Sequence, residues 1–214
     1  MLSLAAEKQI ISSSPRFELA KEVRRERLID SNEEALILAK GNPTVRDVFM
    51  LVMDTGIRPG EAAALAWSSV DLIHRSIQVI EGKTKNARRK LPMTTRVLEM
   101  LKARAALSEQ WVFPGRKGHI AARSVIGMFS QLKNEIGLPA DLVLYSARHT
   151  FATDFQEAFG DLTKTSKQLG HGATAITERY VHAKTSDTAT AMDERNRARL
   201  IGHTPSHTSR EMLQ

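Results

Sequence analysis

The sequence predicts a mainly α-helical protein interrupted by one small antiparallel β-sheet, an α+β fold. Three observations carry this. Apolar residues recur at helical spacing through most of the chain. Capping residues bracket those stretches. Between them, "SIQVIEG" and "ARRKLPM" break into the period-two alternation of strands. With 214 residues, 42% of them hydrophobic, the chain is long enough to bury a proper core in one domain.

The elements follow in order. Residues 1–28 lack a sustained apolar period and contain "SSSP", so they read as a linker. In "SNEEALILA", Ser31 as N-cap with Glu34 three residues on makes a capping box. In "GNPTVRDVFMLVMDTG", Asn42 caps, Pro43 suits the first turn and Gly56 terminates, while Val45, Val48, Phe49, Val52 and Met53 form the apolar stripe. A third helix, "PGEAAALAW", starts at Pro59. The ribbon comes next, with Ile77 and Val79 on one face and "KTKN" as its turn. Helices resume with "TTRVLEMLKARAAL", then an extended "QWVFP", then "ARSVIGMFSQLKNEIGL" and "YSARHTFATDFQEAF". "DLTKTSKQLG" has Asp161 as cap and Gly170 as terminator, and "TAITERYVH" has Thr174 as cap. A last helix ends near residue 201, and 202–214 form a polar tail. Residues 29–201 are thus expected to be the folded domain.

Composition narrows the function. No run of about 18 apolar residues exists to span a membrane, and no secretion signal is visible at the start. With no cysteine, disulfides and Cys-rich zinc sites are excluded, which favours a cytoplasmic protein. The balance of 31 basic to 24 acidic residues favours a polyanionic partner, nucleic acid first. The charge is densest in "KTKNARRK", with five basic residues in eight, so Lys85, Arg88, Arg89 and Lys90 are read as contacts to DNA phosphates. In "KEVRRERL" the glutamates instead suggest a solvated helix face.

Five separated residues make a chemical set. Arg58 precedes a helix, Lys83 sits at the ribbon tip, Arg148 lies early in a helix, and His171 and Tyr180 lie nine residues apart. An in-line attack on a phosphodiester builds charge on non-bridging oxygens, which two guanidinium forks can hold by paired hydrogen bonds. A lysine beside other cations can protonate the leaving oxygen. A tyrosine can attack and conserve the bond as an ester. A histidine can bind a phosphate oxygen or share proton handling. The bland alternatives are a half-buried packing tyrosine at 180, a solvated turn lysine at 83 with Lys85 as rival acid, and an ordinary Arg58–Glu61 salt bridge. His149 is read as a buried structural histidine. Trp67, Trp111 and Phe113 are read as core. His203 and His207 lack a third metal ligand, so no metal is expected.

"TGIRPGEAAALAWSSVDL", "GKTKNARRKLPM", "YSARHTFATDF" and "QLGHGATAITERYVHA" together resemble, in order and spacing, the motifs of the tyrosine recombinase (phage integrase) catalytic domain. The resemblance implies that Arg58 and Arg148 are the paired arginines, Lys83 the ribbon lysine, His171 the late histidine and Tyr180 the nucleophile. Glu61 matches the acidic residue that follows the first arginine, placed to orient Arg58. The implied activity is site-specific DNA cleavage and rejoining through a 3′-phosphotyrosyl intermediate, with no cofactor, by four protomers on paired duplexes in the nucleoid. Type IB topoisomerase-like relaxation and a non-catalytic DNA-binding relic are the alternatives. One position departs: Tyr145 stands where the family's HxxR motif usually has histidine. A phenol can donate a hydrogen bond to phosphate but carries protons poorly near neutral pH, and it could simply pack. The linker-like 1–28 is too short for the N-terminal DNA-clamp domain common in the family.

Overall fold

A computed structural model of the protein describes residues 27–80 and 88–170. Its helices are α1 (Ser31–Lys40), α2 (Pro43–Thr55), α3 (Pro59–Ala63), α4 (Thr95–Arg104), α5 (Ala122–Glu135), α6 (Leu144–Phe159) and α7 (Leu162–Leu169). Strands β1 (Val70–Asp71), β2 (Ser76–Val79) and β3 (Arg89–Pro92) form an antiparallel sheet in that order. A second hairpin, β4 (Pro114–Gly115) with β5 (Gly118–His119), lies between α4 and α5. The expected mainly helical fold with a small three-stranded sheet is what forms. Among the described residues, no helix is long and apolar enough to cross a membrane.

Helix α2 is the hub, because α1, α3, α4, α5 and α6 all pack against it. Its sequence explains why. Val45, Val48, Phe49, Leu51 and Val52 are fully buried, so the apolar stripe is wide enough to meet neighbours on several sides. Phe49 stacks on Phe129 of α5 with ring centroids 6.1 Å apart. Its buried Asp47 is paired with Arg104 of α4 at 2.7 Å. The Arg104 guanidinium also donates to the carbonyls of Val112 and Pro43 and lies over the Phe113 ring. This cation ties the extended segment after α4 onto the hub.

Helix ends follow the expected chemistry with one shift. Asn42 accepts from the Val45 amide, Thr94 from the Val97 amide, and Asp161 from the Thr163 and Lys164 amides. At α1 the cap is Asp30 rather than Ser31, and the reciprocal partner is Glu33 rather than Glu34. The box is one residue earlier because Asp30 and Glu33 satisfy each other's backbone, and Glu33 also pairs with Arg27. Helix α3 is shorter than the predicted "PGEAAALAW". It stops at Ala63 because Ala66 bridges to Trp111 and the Trp67 amide donates to the Gln110 carbonyl. Phe113 is core as expected, whereas Trp67 and Trp111 are half-buried, Trp111 at its ring edge against His119.

In the sheet, Ile77 pairs with Leu91, Gln78 with Lys90 and Val79 with Arg89. Ile77, Val79, Leu91 and Arg89 are buried, while Gln78 and Lys90 face out. The residues joining β2 to β3, with Lys83 and Lys85, lie outside the described residues. So do 1–26 and everything from His171 onward, including Tyr180 and the last predicted helices.

Gly56 shows how tightly the hub is closed. It ends α2 with φ +67°, and a Cβ there would run into the Phe151 ring of α6 and come within 3.2 Å of Leu169 Cδ2 on α7. Gly56→Ala is expected to lower unfolding stability by about 2–5 kcal/mol, left-handed strain plus overpacking, read from the urea midpoint. A change under about 0.5 kcal/mol would show that α6 and α7 do not close on this turn.

Candidate active site

The site forms where two helices end. A helix leaves its last carbonyls without intrahelical partners and carries partial negative charge there. Helix α7 ends at Gly170, in left-handed conformation at φ +66°. Its last carbonyls are taken by three arginines from three different elements. Arg89 Nε donates to the Gln168 carbonyl at 2.9 Å, Arg148 Nη2 to the Leu169 carbonyl at 2.7 Å, and Arg58 Nη2 to the Gly170 carbonyl at 3.2 Å. The end of α2 joins them. Arg148 Nη1 donates to the Gly56 carbonyl, and Gln168 Nε2 to the Thr55 carbonyl at 3.1 Å.

Each arginine arrives for a local reason. Arg58 is the N-cap position of α3, so its chain still runs extended and its side chain is free of the helix stripe. Arg148 lies one turn into α6, on the face that carries Leu144, Ala147 and Ala152 inward, and is fully buried. Arg89 shares the inward face of β3 with Leu91.

Glu61 balances the three cations. On α3, it accepts from the Arg58 amide at 3.0 Å and from Arg58 Nη1 at 2.9 Å. Its other contacts come from Arg89, Nη2 to Oε2 at 2.7 Å and Nη1 to Oε1 at 3.3 Å. Burial acts to raise the Glu61 pKa. The hydrogen bonds and charge of Arg89, followed by those of Arg58, outweigh burial and hold the carboxyl below its ordinary 4.5. Arg148 is shifted by burial above all, with Arg58 and Arg89 adding repulsion. Tyr145 and Glu61 oppose the shift, and the guanidinium comes down to about 10, still charged at neutral pH.

The cluster grades from buried to open. Side-chain exposure is 5% for Arg89 and 35% for Arg58, so Arg58 is the member that reaches solvent. Tyr145 stands on the first turn of α6 and is 39% exposed.

The structure therefore brings together Arg58, Arg148 and Glu61 of the expected site, with Tyr145 beside Arg148 on one helix. Lys83, Lys85, His171 and Tyr180 lie outside the described residues, although Gly170, the neighbour of His171 in the chain, is held in the cluster. Arg88, just before β3, and Lys90, on it, are exposed. Arg89 differs from the expectation of a DNA contact. It is turned inward and bound to Glu61 and α7. The signal was present in "ARRKLP", where position 89 has the parity of Leu91 and positions 88 and 90 the opposite one. His149 also differs from expectation. It is half-buried rather than core, its ring 5.0 Å from that of Tyr145, because positions four apart share a helix face. No cluster of three or more metal-ligating side chains occurs among the described residues.

Residues 22–187 match the model of the phage integrase family. The chain belongs to that family. Among relatives, a tyrosine recombinase XerC of Xylella fastidiosa (strain 9a5c) is 33% identical over 142 residues, covering 64% of this chain and 48% of the relative. XerC of Xanthomonas campestris pv. campestris (strain B100) is 30% identical over 164 residues, covering 72% and 50%. The chain thus spans about half the length of these curated relatives. Among solved structures, the Tn1549 transposon integrase in complex with circular intermediate DNA superposes with TM-score 0.72 at 22% identity, over 89% of this chain and 76% of that one. The XerA recombinase does so with TM-score 0.65 at 23% identity, over 85% and 66%. The described helices and sheet are those of a phage integrase catalytic fold.

In this phage integrase fold Arg148 bridges two helix ends with two different terminal nitrogens. Arg148→Lys keeps the charge but leaves the Gly56 or the Leu169 carbonyl unpaired. It is expected to cost about 1–3 kcal/mol in urea unfolding, the penalty of one unsatisfied buried acceptor. Stability equal to the parent would show that the bridge does not hold the two ends.

Proposed function

We propose that this chain breaks and rejoins duplex DNA at specific sites through a 3′-phosphotyrosyl intermediate, with Tyr180 as nucleophile. The observation that carries this reading is the convergence of Arg58 and Arg148 on one helix end, with Arg58 reaching solvent. Arg58 turns its fork toward solvent, and Arg148, fully buried behind it, adds positive charge at the place where the non-bridging oxygens of a phosphoryl group gain charge as Tyr180 attacks in line. Pre-organisation matters because the guanidiniums then need no rearrangement as the charge develops.

The remaining roles follow from chemistry and from family membership. Lys83 protonates the leaving 5′ oxygen, and His171 binds a phosphate oxygen or shares that proton. Water is not needed in the attack, because the ester conserves the bond for rejoining. Exposed Arg88 and Lys90, with Lys85, supply sequence-independent contacts to the backbone. Double-stranded DNA in the nucleoid is the partner, and four protomers on two duplexes complete an exchange. The Tn1549 integrase was solved with circular intermediate DNA and the XerH recombinase with its difH substrate, which supports the choice of partner.

The test is a nicked half-site duplex read on a denaturing gel. The parent is expected to form a covalent protein–DNA complex that survives chelator, and Tyr180→Phe to form none while binding DNA within a small factor of the parent. A complex that disappears in chelator and returns with magnesium, or one that persists in Tyr180→Phe, would overturn the mechanism.

Tyr145 is proposed as an uncharged donor to the same phosphate. It lies three residues before Arg148 on α6 and is exposed at the cluster's edge. Tyr145→Phe deletes only the hydroxyl and is expected to slow single-turnover cleavage by up to about 10²–10³. A rate equal to the parent would mean that the ring only packs against His149.

A further inference from the structure

We propose that Arg89 is a positioning residue for the cleavage reaction. It sets Arg58 through Glu61 and ties strand β3 to the end of α7, and it does not touch DNA. The inference rests on the function proposed above. Three observations carry it. First, Arg89 is buried, with side-chain exposure of 5%, although it sits in the most basic stretch of the chain. Second, each of its three nitrogens has a protein partner. Both terminal nitrogens meet the Glu61 carboxylate and Nε meets the Gln168 carbonyl. The same carboxylate takes both the amide and the guanidinium of Arg58. Third, the fold makes room for it. A Cβ on Gly170 would lie 2.9 Å from Arg89 Nη1 and 3.0 Å from its Cδ. The bare α-carbon of Gly170 is the surface against which this guanidinium lies.

The consequence is a coupling between two parts of the site. Strand β3 follows the segment that carries Lys83, and α7 leads into the segment that carries His171. Arg89 bonds to α7 directly and to Arg58 through one shared carboxylate. Without it, Glu61 keeps its burial but loses its strongest counter-charge. The carboxyl is then no longer fixed in the orientation that holds Arg58. Displacement of a phosphate-binding group by about 1 Å is enough to cost about 10²-fold in rate.

The experiment compares the parent with Arg89→Met, Arg89→Lys, Glu61→Gln, Gly170→Ala and the double variant Arg89→Met/Glu61→Gln. Single-turnover cleavage of the nicked half-site is measured against DNA concentration and salt. The saturated rate of Arg89→Met is expected to fall about 10²-fold. Its half-saturating DNA concentration and the salt slope of binding are expected to stay as in the parent. Arg89→Lys, which keeps charge but cannot bridge carboxylate and carbonyl together, should recover only part of the rate. Gly170→Ala should reproduce the loss by pushing the guanidinium away. The double variant should be no slower than the slower single one, since both act through one link. A lowered salt slope, by about one, with the saturated rate intact would make Arg89 a DNA contact and overturn the proposal. Unfolding stability reduced with the rate per folded molecule unchanged would overturn it as well. An arm that needs no activity separates this inference from the function beneath it. The Arg58 guanidinium resonance should shift and broaden in Arg89→Met. An unmoved Arg58 resonance would sink the positioning role even in an active enzyme. Failure of the parent to form any covalent complex would instead sink the proposed function.

Discussion

Helix α7 ends inside the protein, and an end of that kind must find donors for its carbonyls. Here the donors are three arginines, one for each of Gln168, Leu169 and Gly170. Neutral amides or hydroxyls could have served, as they do at most buried helix ends. Arginine does something further. Its fork satisfies the carbonyls, is favoured by the negative end of the helix dipole, and leaves a concentrated positive charge in one place. The helix end is thus both a structural demand and the means by which cations are gathered.

Gathering them has an electrostatic cost. Arg58 and Arg89 both push the Arg148 pKa down, in addition to the effect of burial. Glu61 is the one carboxylate hydrogen-bonded to the cluster among the described residues, and it offsets that repulsion from between Arg58 and Arg89. Among the described residues, three cations stand against one anion in the cluster, a net positive balance. Under the proposed function, a phosphodiester entering such a site meets charge that the described residues only partly neutralise. The burial gradient then assigns the work. Arg89 is taken up by the protein, Arg148 bridges two helix ends, and Arg58 faces outward.

Much of the fold was legible because its signals are local. Asn42 and Asp161 cap as their side chains dictate, and Gly56 and Gly170 terminate because each must take a positive φ. The capping box moved from Ser31 to Asp30 because two acceptable caps lie side by side, and tertiary ion pairs separate the two glutamates, Glu33 with Arg27 and Glu34 with Arg96. The β4–β5 hairpin was not foreseen, since strands of two residues are set by their neighbours rather than by periodicity. In the site, Arg58, Glu61 and Arg148 could be named from their motifs, yet nothing in those motifs says that they meet at the end of α7. Arg89 was read by composition as one more surface cation. The pleat of β3 decided otherwise, as it did for its cross-strand neighbour Val79.

The site rests on one half-buried carboxylate that stays ionised because two guanidiniums, those of Arg58 and Arg89, hold it. The most direct test is the carboxyl resonance of Glu61, followed by ¹³C NMR through an acid titration of the folded protein. The account predicts a midpoint below 4.5, with Arg58 and Arg89 guanidinium signals moving in step. A Glu61 midpoint at or above 4.5 would show that burial, not the arginines, governs this group, and would contradict the account.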